Sequence, residues 1–248
     1  MSTVADAPIL ETRKLSKRFG GFLANDAIDF AVAPGEIRGI IGPNGAGKST
    51  FINLISGVEA PSAGEVRLSG QNLAGLAPHE IARRGLLRSF QVARIFGNLT
   101  LLDNLLAPHL ATAHAAREEG LVKALKLLDL AKLTRLAGEP AKVLSGGQRV
   151  LLQAMAGFMA PQLRCYLLDE PFAGVNPLIK DQLMDLIEAE NRDRGTTFVI
   201  VSHEMAVMRR LCRKITVLIE GRLAAEGSLD EVAAREDVVT AYLGKGAG

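Results

Sequence analysis

The sequence predicts an α/β fold with a helical subdomain inserted into its core. Three observations carry this. Strand-like apolar runs alternate with helical ones over most of the chain. A short apolar strand, Glu36 to Ile41, leads directly into a glycine-rich loop that opens a helix. From Gln91 to about Pro161 the strand signals stop, and helix formers with Leu and Ala at helical spacing take over.

Taken in order, Ile9 to Leu15 and Ala27 to Val32 read as strands, followed by the strand at Glu36 to Ile41. Lys48 to Ser56 reads as a helix, Gly64 to Ser69 as a strand, and Pro78 to Arg84 as a short helix. In the helical stretch, Leu121, Ala124, Leu125 and Leu128 fall at i, i+3, i+4 and i+7, the spacing of a core-facing stripe. The alternation resumes at Arg164, with strands at Tyr166 to Leu168, Thr197 to Val201 and Lys214 to Ile219. The expected organisation is therefore an α/β core over 1–90 and 161–248 and a helical subdomain over 91–160.

Composition narrows the functional class. The 248 residues are 48% hydrophobic, enough for a sizeable core. The longest apolar runs, such as Phe198 to Val201, are far too short to cross a bilayer. No N-terminal stretch joins basic residues to an apolar run, so a cytosolic chain is expected. The net charge is +2, with Lys and Arg spread among acids, and no nucleic-acid partner is expected. Two cysteines make neither a disulfide framework nor a metal site, and Cys165 reads as a small core residue. His79, His109 and His114 read as surface or loop residues.

The chemistry starts at Gly42-Pro43-Asn44-Gly45-Ala46-Gly47-Lys48-Ser49-Thr50. A triphosphate needs many inward-pointing donors and a close backbone approach. Gly42, Gly45 and Gly47 lack a Cβ and tolerate positive φ. Successive N–H groups then form a nest, and the helix opening at Lys48 points its positive end at the same spot. Lys48 brings a full charge to the β- and γ-phosphates, and Ser49 can ligate Mg²⁺. The pattern arises by chance on the order of once per hundred chains of this size. A strand before it and a helix after it mark it as a P-loop for ATP.

The second element is Tyr166-Leu167-Leu168-Asp169-Glu170, an apolar strand ending in two acids. Such ends lie at the ligand-binding edge of an α/β sheet. Asp169 is placed to hold magnesium and Glu170 to polarise a water against the γ-phosphate. The third element, Leu144-Ser145-Gly146-Gly147-Gln148, opens another helix and makes another anion site. One nucleotide does not need two cradles, so either one cradle is spare or the second serves a nucleotide held by another subunit.

In this order, the glycine loop, LSGGQ and LLDE resemble the motif set of ABC-transporter ATPase subunits, from about Leu10 to Leu243. The resemblance implies a P-loop NTPase (RecA-like) core with an antiparallel β subdomain and an inserted α-helical subdomain. It implies ATP and Mg²⁺ as ligands. Phe19 matches the aromatic that stacks on adenine. Gln91 matches a glutamine that contacts magnesium and the attacking water, Gly174-Val175-Asn176 a loop at the dimer interface, and His203 a histidine that contacts the γ-phosphate. Arg88-Ser89-Phe90-Gln91, Glu170 to Pro177 and the ending Val239 to Gly244 resemble the branched-chain amino-acid importer (LivG-type) subunits. That subfamily implies transmembrane permease subunits, a second ATPase subunit (a different chain expected, an identical copy the alternative), and indirectly an external solute-binding protein. It implies a peripheral place on the cytoplasmic face of the plasma membrane, with a permease helix received near 92–106. A lipid or polysaccharide exporter is an alternative, and a soluble ATPase acting on nucleic acid or ribosomes a remoter one. Two departures stand out. The helix after LSGGQ runs Arg149-Val150-Leu151-Leu152-Gln153 without the family's second arginine, and Pro161 to Cys165 is slightly long.

Overall fold

A computed structural model describes residues 7–89, 95–111 and 116–243. Among them, two sheets form. The first is antiparallel, in the order β2 (Phe22–Val32), β1 (Leu10–Phe19), β4 (Ala63–Leu68), β5 (Gln71–Asn72). The second has the order β10 (Arg222–Gly227), β9 (Lys214–Ile219), β3 (Ile37–Ile41), β8 (Thr197–Val201), β7 (Cys165–Asp169), β6 (Leu86–Arg88). Its strands run parallel from β9 to β6, and β10 turns back antiparallel at the edge.

The central strands are apolar on both sides because both sheet faces are covered. In β8, Phe198 and Ile200 join one core while Val199 and Val201 join the other. In β7, Tyr166 and Leu168 divide from Cys165 and Leu167 in the same way. Cys165 is fully buried, as its apolar surroundings predicted. On one face, α1 (Lys48–Ile55) fills the space below the antiparallel sheet, and Phe51 meets Phe30 edge-on at 5.3 Å. On the other face lies α6 (Pro177–Arg194), which is capped by the Asn176 side chain and begins with a proline.

The chain between the neighbouring strands β6 and β7 makes the helices α3 (Leu101–Leu110), α4 (Arg117–Leu130) and α5 (Gly146–Phe158), after α2 (Pro78–Arg83). Phe158, at the end of α5, stacks edge-on against Tyr166 and Phe198, which locks this helix to the sheet. The α4 stripe differs from the expected one. Ala124 and Leu128 are buried, but Leu121 and Leu125 are exposed, and Gly120 and Leu127 complete the buried face. Packing against α3 and α6 selects a face rotated from the leucine count. His109 also departs from its expected surface place: it is buried on α3, with Nε2 3.0 Å from the Ala116 carbonyl. His114 lies outside the described residues.

After β8 come α7 (Met205–Leu211), α8 (Leu229–Ala233) and α9 (Glu236–Leu243). Among the described residues, no helix is long and apolar enough to cross a membrane.

Candidate nucleotide site

The glycine loop leaves β3 at the C-terminal edge of the sheet and opens α1 with Gly47 as N-cap. Gly47 has φ +91°, and a Cβ there would meet the Ala24 carbonyl oxygen at 2.5 Å. Gly45 has φ +81° with open space above it, where a ligand can approach the backbone. The loop is braced from two sides. The Gly221 N–H donates to the Ala46 carbonyl at 3.1 Å, and Asn25 Nδ2 donates to the Gly47 carbonyl at 3.2 Å.

Lys48 folds back over this loop. Its Nζ donates to the carbonyls of Gly42 at 2.7 Å and Pro43 at 3.0 Å. Burial pulls the ammonium below lysine's ordinary range, and the carboxylates of Glu170 and Asp169 partly restore it. The expected loop and the expected acidic pair are thus in one electrostatic neighbourhood.

Asp169 ends β7 and is buried. Its Oδ2 accepts from Arg88 Nη2 at 3.0 Å, and its backbone N–H donates to Ser89 Oγ at 3.3 Å. Glu170 follows with φ +49°, a left-handed turn that costs a non-glycine residue about 1 kcal/mol. The turn swings its carboxylate toward the end of β8, where His203 Nδ1 lies 3.0 Å from Oε2. A crevice of about 40 Å³ behind Asp169 and Glu170 is lined by Val150, Gln153 and Ala154 of α5. The unusual stretch after LSGGQ therefore abuts the acidic pair.

Phe19 closes β1 at the hairpin, 46% exposed rather than in a core, with Lys17 Nζ 4.8 Å from the ring centre. Ser145 caps α5: its Oγ accepts from the Gln148 N–H at 3.3 Å, and Gln148 Oε1 accepts from the Ser145 N–H at 3.0 Å. Ser145 and Gly146 are exposed, and α5 packs on α3 and α6. Gln91 lies outside the described residues. Sequence reasoning gave no role to Arg88 or Asn25. Arg88 stands in a quoted motif, but its partner is distant in the chain, so no local signal marked it.

The donor set fits a nucleotide and a hard divalent cation. The loop offers backbone N–H groups and an ammonium for phosphate. Ser49 and Asp169 offer a hydroxyl and a carboxylate, the kind of sparse oxygen set Mg²⁺ takes beside substrate phosphates. Among the described residues, no cluster of three or more His, Cys, Asp or Glu forms an all-protein metal cage.

Comparison with known proteins agrees with this fold. The ABC transporter family matches residues 25–173. The branched-chain amino acid transport ATP-binding protein BraF of Pseudomonas aeruginosa is 35% identical, covering 96% of this chain and 98% of its own. The probable LivG protein of Archaeoglobus fulgidus is 36% identical, covering 95% of each chain. The ADP conformation of an ATP-binding cassette of an ABC transporter superposes with a TM-score of 0.82 at 31% identity, over 96% of this chain and 99% of that one. A dimeric cassette bound to ADP and Pi has a TM-score of 0.76 at 28% identity, over 89% and 98%. The chain belongs to the ABC transporter family, as one of its ATP-binding ATPase subunits.

Proposed function

We propose that this subunit powers an importer for branched-chain amino acids or a related small solute, and that it acts as half of a paired ATPase. What supports the pairing is that its two glycine-bearing helix starts belong to helices packed into different cores, α1 in one and α5 in the other. Lys48 opens α1 beneath the antiparallel sheet, whereas Gly146 opens α5, which packs on α3 and α6 with an exposed cap. Each composite site would join Gly42 to Thr50 of one subunit to Ser145 to Gln148 of another. The expected partner is a second, different ATPase subunit, with an identical copy as the alternative.

Within one site, Phe19 offers its exposed ring to adenine. The amides of the loop from Gly42 to Thr50, together with Lys48, hold the phosphates. Glu170 accepts a proton from the attacking water, and His203 holds Glu170 and the γ-phosphate edge in register. Gln91 is assigned to the water and the metal on its sequence position alone. Ser49 and Asp169 would hold Mg²⁺, which supplies neutralisation of charge on the β- and γ-oxygens. Donors aimed at that charge are each worth about 3–4 kcal/mol of barrier.

The importer reading is supported by relatives more than one-third identical along nearly their whole length, named for branched-chain amino acid transport. Transmembrane permease subunits would dock near 92–106, of which 92–94 lie outside the described residues, placing this subunit on the cytoplasmic face of the membrane. The solute-binding protein would act through those permeases. Uptake of labelled leucine, isoleucine and valine in a strain lacking this chain is the test. Restoration by the wild type and not by Glu170→Gln is expected. Undiminished uptake in the deleted strain would exclude these substrates. For the pairing, the ATPase rate should climb more steeply than linearly with the concentration of this chain and its partner ATPase subunit raised together, and a strictly linear dependence would count against a composite site.

A further inference from the structure

Arg88 has no part in the scheme above, yet it sits at the centre of the polar contacts that join the end of α1 to Asp169. Its guanidinium is mostly buried at the end of β6. Nη2 donates to Asp169 Oδ2 at 3.0 Å, while Nη1 donates to Asn53 Oδ1 at 2.5 Å and to Ser56 Oγ at 3.3 Å. Its Nε is buried and makes no hydrogen bond among the described residues. Asn53 and Ser56 belong to the last turn of α1 and its C-cap, where the helix dipole favours a cation.

The helical period gives this contact its meaning. Ser49, Asn53 and Ser56 stand at i, i+4 and i+7, one stripe of α1. Two members of that stripe grip Arg88, and the third is the hydroxyl assigned to magnesium. Arg88 therefore ties the strand end bearing Asp169 to the same helix face that bears Ser49. The tie uses only Oδ2 of Asp169 and leaves Oδ1 without a hydrogen bond among the described residues.

We propose that Arg88 is a positioning residue for the metal-binding carboxylate. It braces Asp169 against α1, setting the distance between Asp169 and Ser49 and turning one carboxylate oxygen toward the metal. This rests on the reading of Asp169 as a magnesium ligand. Residues that orient a metal ligand from behind are typically worth ten- to a hundredfold in metal affinity. The opposing idea is that Arg88 is a resident cation that competes with the metal, in which case its removal tightens metal binding.

The test uses the full chain carrying Glu170→Gln, so that ATP is held and not consumed. Mn²⁺ binding to the ATP complex is followed by electron paramagnetic resonance, and ATP binding is measured separately in EDTA. Arg88→Gln is expected to weaken Mn²⁺ binding about tenfold while leaving ATP affinity in EDTA unchanged. Unchanged or tighter Mn²⁺ binding overturns the proposal. Arg88→Gln strips a buried carboxylate of its cation and could fail to fold. Asn53→Ala cuts only the α1 end of the brace and keeps the Arg88–Asp169 pair. It should weaken Mn²⁺ binding by a smaller factor, and unchanged affinity in a folded Asn53→Ala protein also overturns the proposal. Asp169→Asn separates the two layers of the argument. If that change leaves Mn²⁺ affinity intact, the reading of Asp169 has failed; if Asp169→Asn weakens binding and the Arg88 and Asn53 variants do not, only the brace has failed.

Discussion

His203 Nδ1 stands 3.0 Å from Glu170 Oε2, across the ends of two neighbouring parallel strands. The contact depends on the unusual backbone of Glu170, whose φ of +49° turns its side chain out of the strand line while its N–H still donates to Val201 at 2.9 Å. His203 is largely exposed and Glu170 is only 20% exposed. The acid is thus held in the sheet edge, and the imidazole reaches it from the solvent side.

Glu170→Gln keeps the shape of the side chain and removes its basicity. It should bind ATP as well as the wild type and lose roughly 10²–10⁴-fold in turnover, the usual worth of a general base. Closed dimers should accumulate with ATP, visible by size-exclusion chromatography. Near-normal turnover would take Glu170 out of the chemistry.

Because the two side chains touch, their effects should not add. His203→Ala alone should lower turnover with little change in KM. In the Glu170→Gln background it should cost much less than it does in the wild type, since contacting groups that act as a unit are strongly non-additive. Full additivity in that double-mutant cycle would mean that the pair seen here does no joint work.

Far from this edge, Lys123 of α4 carries a pH signature. It donates to the Phe158 carbonyl and lies 3.5 Å from Glu190 on α6. Burial, only partly opposed by Glu190, pushes its ammonium down from 10.5 to about 8. The folded state therefore binds fewer protons than the unfolded chain between about pH 8 and 10.5. The sign follows: the cost of the buried charge is fully present below pH 8 and is relieved as pH rises through this window. Wild-type stability should gain on that of Lys123→Met there, by up to the order of 3 kcal/mol. Glu190 keeps Arg194 and Thr196 as partners in the variant. Denaturant titrations at pH 7.5 and 10 compare the two proteins, and a difference that is flat or of opposite sign contradicts the assignment.

Gly157 tests the seam between α5 and the sheet. A Cβ there would meet Tyr166 Oη at 2.3 Å and Cζ at 2.4 Å. Tyr166 is itself wedged against Phe158 and Phe198 and has little room to yield. Gly157→Ala should cost about 1–3 kcal/mol of stability, the range for overpacked cores, even though alanine favours a helix. Thermal unfolding measures it, and an unchanged or higher Tm would show that the ring can move.

What the sequence determined by itself was whatever depends on near neighbours in the chain. The β8 and β9 strands fall where their apolar runs placed them, and the loop at Gly42 to Thr50 joins β3 to α1, because the strand, the glycines and the helix start all lie within a short window. Ser145 and Gln148 form a capping pair for the same reason. Tertiary structure decided the rest. The buried face of α4 includes Leu127 and leaves out Leu121 and Leu125, since the neighbours α3 and α6, not the count of leucines, choose the face. His109 is buried through a partner beyond its own helix. Arg88 meets Asp169 across 81 positions, and Glu170 meets His203 across 33. Residues so far apart are brought together only when the parallel strands are laid side by side, which no local pattern encodes.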